Sequence, residues 1–194
     1  MKLTWLPHEM SLNPVAAGLL CSALFGCDDR PISAYAALPP PGERLPAFEA
    51  PLVRGGLFSS AAGRGTPTLL ALWSTSCSHS LRIRSTLDSL ATAYPDDEVR
   101  ILILADDALE ELEQYVDTSG TRVPMVALNG RLQELFDRSR GAPERDSLRV
   151  KFALPSFLLL DAEGVVQSRV GGADMERVVS LVEALQSKSS DPGH

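Results

Sequence analysis

Residues 68–80 read TLLALWSTSCSHS, from Thr68 to Ser80. The first six form an unbroken apolar run, the pattern of a strand buried on both faces of a sheet. Polar residues end the run. From Cys77 onward, Leu81, Leu87, Leu90 and Tyr94 recur at helical spacing, and Pro95 stops the pattern. A buried strand therefore runs into a helix through a loop that carries a cysteine.

Downstream, Val99 to Leu104 (VRILIL) predicts a second buried strand, and Ala108 to Ser119 an amphipathic helix closed by Gly120. Its acidic start, Asp106 to Glu113, reads as a solvated helix N-terminus. Val126 to Leu128 is a short strand, Arg131 to Arg138 a short helix, and Ser139 to Arg149 a polar loop. Phe157 to Leu160 and Val165 to Val170 form a hairpin around Asp161-Ala162-Glu163-Gly164. Asp174 caps a last helix with Val178, Leu181, Val182 and Leu185 on its inner face. Upstream, Phe48 to Val53 and Leu57 to Ser59 make a small hairpin over Gly55-Gly56. Alternating strands and helices pair in parallel through crossovers, and the late hairpin adds an antiparallel edge. The expected class is α/β: three layers, a central mixed sheet with helices on both faces.

The whole chain has 194 residues, 44% of them hydrophobic, which suits one ordinary domain with appendages. Its 18 Lys+Arg against 25 Asp+Glu give a formal charge of −7. Without a basic block, nucleic acid is excluded as a main partner. Three cysteines, Cys21, Cys27 and Cys77, are too few for a disulfide scaffold or a zinc ribbon. Val15 to Phe25 is an uncharged apolar run too short to cross a hydrocarbon slab of about 30 Å, and it suits a secretory signal. Leu24-Phe25-Gly26-Cys27 resembles the lipobox of bacterial lipoproteins. That resemblance implies cleavage after residue 26, a lipid anchor at Cys27, and a location on the periplasm-facing cell envelope. Asp28 and Asp29 resemble an inner-membrane retention signal. Residues 27–45, with five prolines from Pro31 to Pro46 around them, read as a tether. The folded domain is expected over 46–187 and a disordered tail over 188–194.

The segment Trp73-Ser74-Thr75-Ser76-Cys77-Ser78-His79-Ser80 resembles the thioredoxin superfamily, and most closely its TlpA-like thiol–disulfide oxidoreductases with redoxin domains, which carry W-x-T-x-C-x-x-C at this junction. Leu154-Pro155 before a strand ending in Asp161 resembles that family's cis-proline segment. The hairpin followed by Gly171-Gly172 resembles its final landmark. The resemblance implies a thioredoxin-like fold, with Cys77 as nucleophile, Trp73 beneath its loop, and a backbone edge at Leu154 and Pro155 where a peptide pairs. One departure dominates: the second cysteine of the family falls at Ser80, giving C-x-x-S.

A cysteine at a helix N-terminus faces free backbone N–H groups and the positive end of the dipole, which favour the thiolate. Ser80, one turn on, can donate a hydrogen bond to it, and His79 adds a cation only when protonated. Such a thiolate attacks a disulfide, but Ser80 cannot release the product by forming an S–S bond. The expected function is therefore monothiol exchange: reduction, isomerisation or mixed-disulfide trapping. The expected partners are thiol- or disulfide-containing envelope proteins and an external resolving thiol, with no cofactor. Three alternatives stand beside it. A one-cysteine peroxidase would want proline at Leu70 and keeps only Ser74 of its pattern. A redox-inactive binding module would use the Pro155 edge. Metal delivery would have only Cys77 and His79, which do not close a site.

Overall fold

Thr68–Trp73 forms strand β3, and all six of its residues are buried. The computed structural model describes residues 38–62, 64–138 and 153–189. The signal, Cys27, most of the tether and the polar loop after residue 138 lie outside the described residues. In chain order the other elements are β1 (Glu49–Pro51), β2 (Leu57–Ser59), α1 (Ser78–Ala93), β4 (Arg100–Ala105), α2 (Leu109–Ser119), β5 (Met125–Ala127), α3 (Leu132–Arg138), β6 (Ser156–Leu160), β7 (Val166–Gly171) and α4 (Met175–Ser189). Helix α4 thus runs two residues past the expected domain end at 187.

The main sheet has the order β5-β4-β3-β6-β7, and β1 pairs with β2 apart from it. β3 pairs in parallel with β4, and β4 with β5. The hairpin β6–β7 joins antiparallel to β3, as the late position of that hairpin requires. Because side chains alternate along a strand, β3 feeds two cores. Leu69, Ala71 and Trp73 pack with Ile83 and Leu87 of α1, Leu112 of α2 and Val178 of α4. Leu70 and Leu72 face the other way, onto Leu132 and Phe136 of α3 and onto Leu38 and Ala50. The three-layer α/β class holds, with unequal outer layers: three helices on one side, one short helix and the N-terminal hairpin on the other.

Helix α1 begins with Cys77 as its N-cap and ends at Tyr94. Its buried stripe is Ser80, Ile83, Leu87 and Leu90. Leu81, expected on the inner face, is 41% exposed. With about 100° between successive helical residues, a stripe through 80, 83, 87 and 90 turns residue 81 outward. Gly120 closes α2 in the left-handed region (φ 67°) and donates its N–H to Val116 O, a conformation that suits glycine.

The tether was expected to run free to residue 45; its last eight residues instead belong to the domain. Leu38 is fully buried, and its carbonyl accepts a bond of 3.0 Å from Arg169 Nη1. Gly42 N–H bonds Val166 O, Val166 N–H bonds Glu43 O, and Leu45 N–H bonds Gly164 O, at 2.8, 2.8 and 3.0 Å. At the opposite sheet edge, Val53 N–H bonds Met125 O at 2.9 Å. The N-terminal segment therefore straps the sheet from β7 to β5, pairing backbone groups that two open edge strands would leave free.

Candidate functional site

Trp73 closes β3 with its side chain fully buried and its ring against Tyr115, centroids 5.0 Å apart. Its indole Nε1 has no hydrogen-bond partner among the described residues. The loop Ser74–Ser76 then turns the chain into α1. Ser74 O accepts the Cys77 N–H at 3.2 Å, and Cys77 O accepts the Leu81 N–H at 3.1 Å, so the cysteine is fixed at the junction. Cys77 is half-buried and carries a free thiol.

Across from it, the Leu154–Pro155 peptide is cis. The Cys77 thiol donates to Leu154 O at 3.4 Å, a contact 77 residues apart in sequence. β3 and β6 are neighbours, and Ser156 pairs with Leu72, so the segment entering β6 ends beside the segment leaving β3. The fold thus brings together Cys77, Leu154 and Pro155. Gly172, the glycine noted after the hairpin, donates its N–H to Pro155 O at 2.9 Å and fixes that corner from behind.

The Cys77 thiol is held below its ordinary range. Burial alone pushes it up, but the Ser80 hydroxyl, the backbone N–H groups of Ser80 and His79, and the Arg82 charge together outweigh burial. The backbone N–H groups and the Ser80 hydroxyl are donors that the sequence reading named; the Arg82 charge is an addition. Ser80 is fully buried, and while the thiol points to Leu154 its Oγ has no hydrogen-bond partner. Ser80 Oγ thus lies beside the sulfur with its hydrogen-bonding capacity unspent, and an ionised sulfur is a far stronger acceptor for that hydroxyl than a neutral thiol. The thiol donates its hydrogen to Leu154. His79 contributes through its backbone, and its side chain is exposed. Among the described residues, no group of three or more His, Cys, Asp or Glu is placed to hold a metal, and no helix is long and apolar enough to cross a membrane.

One residue escaped the sequence reading. Asp107, placed there in a solvated helix start, is 9% exposed. Its carboxylate accepts Ser74 Oγ at 3.0 Å, Thr75 N–H at 3.0 Å and Thr75 Oγ1 at 2.5 Å. Its neighbour Asp106 faces elsewhere and accepts the Leu132 N–H at the start of α3, 2.8 Å away. Burial, and to a lesser degree the Asp107 charge, push the Asp106 carboxyl up against the opposing effect of that bond. The only sequence signal for such partners was that β4 leads into two carboxylates, next to the end of β3.

The AhpC/TSA family model matches residues 41–169. No curated protein matches the chain. Among solved structures, the chain is similar to a Chlorobium tepidum protein described as a thiol:disulfide interchange protein DsbE, at 16% identity and a TM-score of 0.62 over 76% of this chain and 98% of that one. The thioredoxin domain of a thiol-disulfide oxidoreductase from Bacteroides vulgatus gives 19%, 0.58, 74% and 97%. The exposed lipoprotein thioredoxin of Streptococcus pneumoniae gives 17%, 0.56, 72% and 100%. At these identities the likeness establishes a thioredoxin-like fold.

Proposed function

The chain belongs to the AhpC/TSA family, and from that premise we propose that it is an envelope thiol–disulfide exchange protein working through the single sulfur of Cys77. The observation that carries the reading is the pairing of a thiol held below its ordinary range with the Leu154 carbonyl at 3.4 Å. The Cys77 thiolate attacks one sulfur of a substrate disulfide; a Cys77–substrate disulfide forms and the other substrate sulfur leaves as thiolate. Ser80 offers oxygen and no second sulfur, so the mixed disulfide waits for an outside thiolate. That thiolate attacks the substrate sulfur, takes it into a new disulfide and returns Cys77 as thiolate. The backbone edge at Leu154 and Pro155 is where an extended peptide substrate pairs. Lipidation of Cys27, cleavage after residue 26 and membrane tethering complete the proposal, in line with a structural relative named as an exposed lipoprotein.

The peroxidase alternative is weakened by Ser74. Its Oγ, which that reading needs, bonds Asp107 and Ser76 instead. Three experiments test the proposal. pH-dependent alkylation should give Cys77 a pKa below the ordinary thiol value of about 8.5, and disulfide-bearing envelope proteins should be trapped on wild type. A free-thiol pKa with no trapped species would leave the binding module. Cys27→Ser should release the chain from membranes, and continued membrane association would refute the anchor.

A further inference from the structure

Asp107 is a buried carboxylate with no hydrogen bond to Leu154 or the sulfur, yet among the described residues its side chain bonds to the loop before Cys77. Oδ1 takes Ser74 Oγ, Thr75 N–H and Thr75 Oγ1, and Oδ2 takes Thr75 N–H at 3.1 Å. Four contacts from three donors converge on one anion, and hydrogen bonds to a charged acceptor are the strong ones. Ser74 is the link onward. Its Oγ, turned by Asp107, also accepts the Ser76 N–H at 3.2 Å and pairs with Ser76 Oγ at 2.8 Å. Its carbonyl holds the Cys77 N–H. The position of the sulfur at the head of α1 is thus tied through two residues to a carboxylate on the neighbouring strand's exit. The base of that carboxylate is itself fixed, since Asn129 donates its N–H to Asp107 O at 3.2 Å.

We infer that Asp107 is a positioning residue for Cys77, locking the Ser74–Ser76 loop so that the sulfur stays within reach of the α1 N–H groups and the Ser80 hydroxyl. It acts through geometry, since the charge that acts on the sulfur directly is that of Arg82. All its donors are N–H or O–H, so a carboxylate satisfies them and an amide cannot, because an amide turns its own NH₂ against one of them. The role rests on the thiolate reading of Cys77, and its test uses alkylation, which needs no disulfide substrate.

The experiment measures the rate of iodoacetamide alkylation of Cys77 from pH 5 to pH 10 in the full chain, for wild type, Asp107→Asn and Thr75→Val, with thermal unfolding alongside. In Asp107→Asn the apparent thiol pKa should rise by about one unit, so that alkylation at pH 6 falls about tenfold while the high-pH plateau changes by less than about threefold. Thr75→Val removes one donor and keeps the carboxylate, and it should shift the same way by about threefold at pH 6; it carries the test if Asp107→Asn does not fold. Wild-type and variant pKa values that coincide, with only the melting temperature lowered, would make Asp107 a purely structural residue and overturn the inference. A wild-type pKa at the free-thiol value would sink the thiolate reading, and this role with it.

Discussion

The Cys77 thiol donates its hydrogen to the carbonyl of Leu154 at 3.4 Å, while Ser80 beside it keeps a buried hydroxyl without a partner. Ionising the sulfur removes the first bond and makes the sulfur a far stronger acceptor for that hydroxyl. Ser80→Ala should therefore raise the Cys77 pKa by removing the largest influence that lowers it. Folding should change by no more than about 1 kcal/mol, because the hydroxyl it deletes is unsatisfied in the thiol form. Alkylation against pH and a urea melt below pH 6 check both parts. A pKa unmoved by the substitution would remove Ser80 from the site.

Stability should follow the titration of the sulfur. The folded thiol is more acidic than the unfolded one, so ionisation favours the folded chain. Stability then rises as pH climbs through the folded pKa. The gain is complete above the unfolded value of about 8.5 and disappears as pH falls back through the folded pKa. Cys77→Ala should lose this rise. Urea midpoints at pH 6 and pH 9 for both chains decide it; parallel behaviour of the two would count against the shift.

The adjacent carboxylates Asp106 and Asp107 should respond in opposite ways. Asp107→Ala strands Ser74 Oγ and both Thr75 donors and should cost about 2–4 kcal/mol. Asp106→Asn keeps an oxygen for the Leu132 N–H and relieves a carboxyl that burial makes harder to ionise. Because that carboxyl is pushed up, its ionisation erodes stability as pH rises from its unfolded value, near 3.9, through its folded one. At pH 7 Asp106→Asn should be neutral or stabilising. Equal losses in the two variants, read by thermal unfolding, would contradict the assignment.

Leu38→Ala should cost about 2–4 kcal/mol, as for a fully buried leucine in any core. A loss below about 0.5 kcal/mol would return residue 38 to the tether, since surface substitutions fall in that range.

The parts of the fold that were legible in sequence are those whose signal is local. An apolar run such as TLLALW has one stable place, and a helix that begins after Cys77 and ends before Pro95 announces both ends. Gly120 marked its cap for the same reason. What stayed hidden depends on distant partners. Leu81 and Ile83 are both good core residues, and only the direction of the sheet selects Ile83. Asp107 looks like any acidic helix start until the end of β3 is laid beside it. Leu38 stands alone among prolines, and its burial follows from backbone bonds to β7, which no side-chain pattern records. At the site, Cys77 and Ser80 could be read from position; the Leu154 contact followed from family resemblance.

The strap at the sheet edge has a consequence for the order of assembly. Residues 42–45 bond to residues 164–166, so an early segment needs a hairpin made much later. Contacts of such long sequence separation close late, because the intervening chain must first lose its freedom. A chain emerging N-terminus first therefore cannot close these bonds until the β6–β7 hairpin exists. The β5 rim can be covered by Val53 before then, but residues 42–45 have no edge to pair with, and that part of the guard against sticking to other copies waits on the later hairpin.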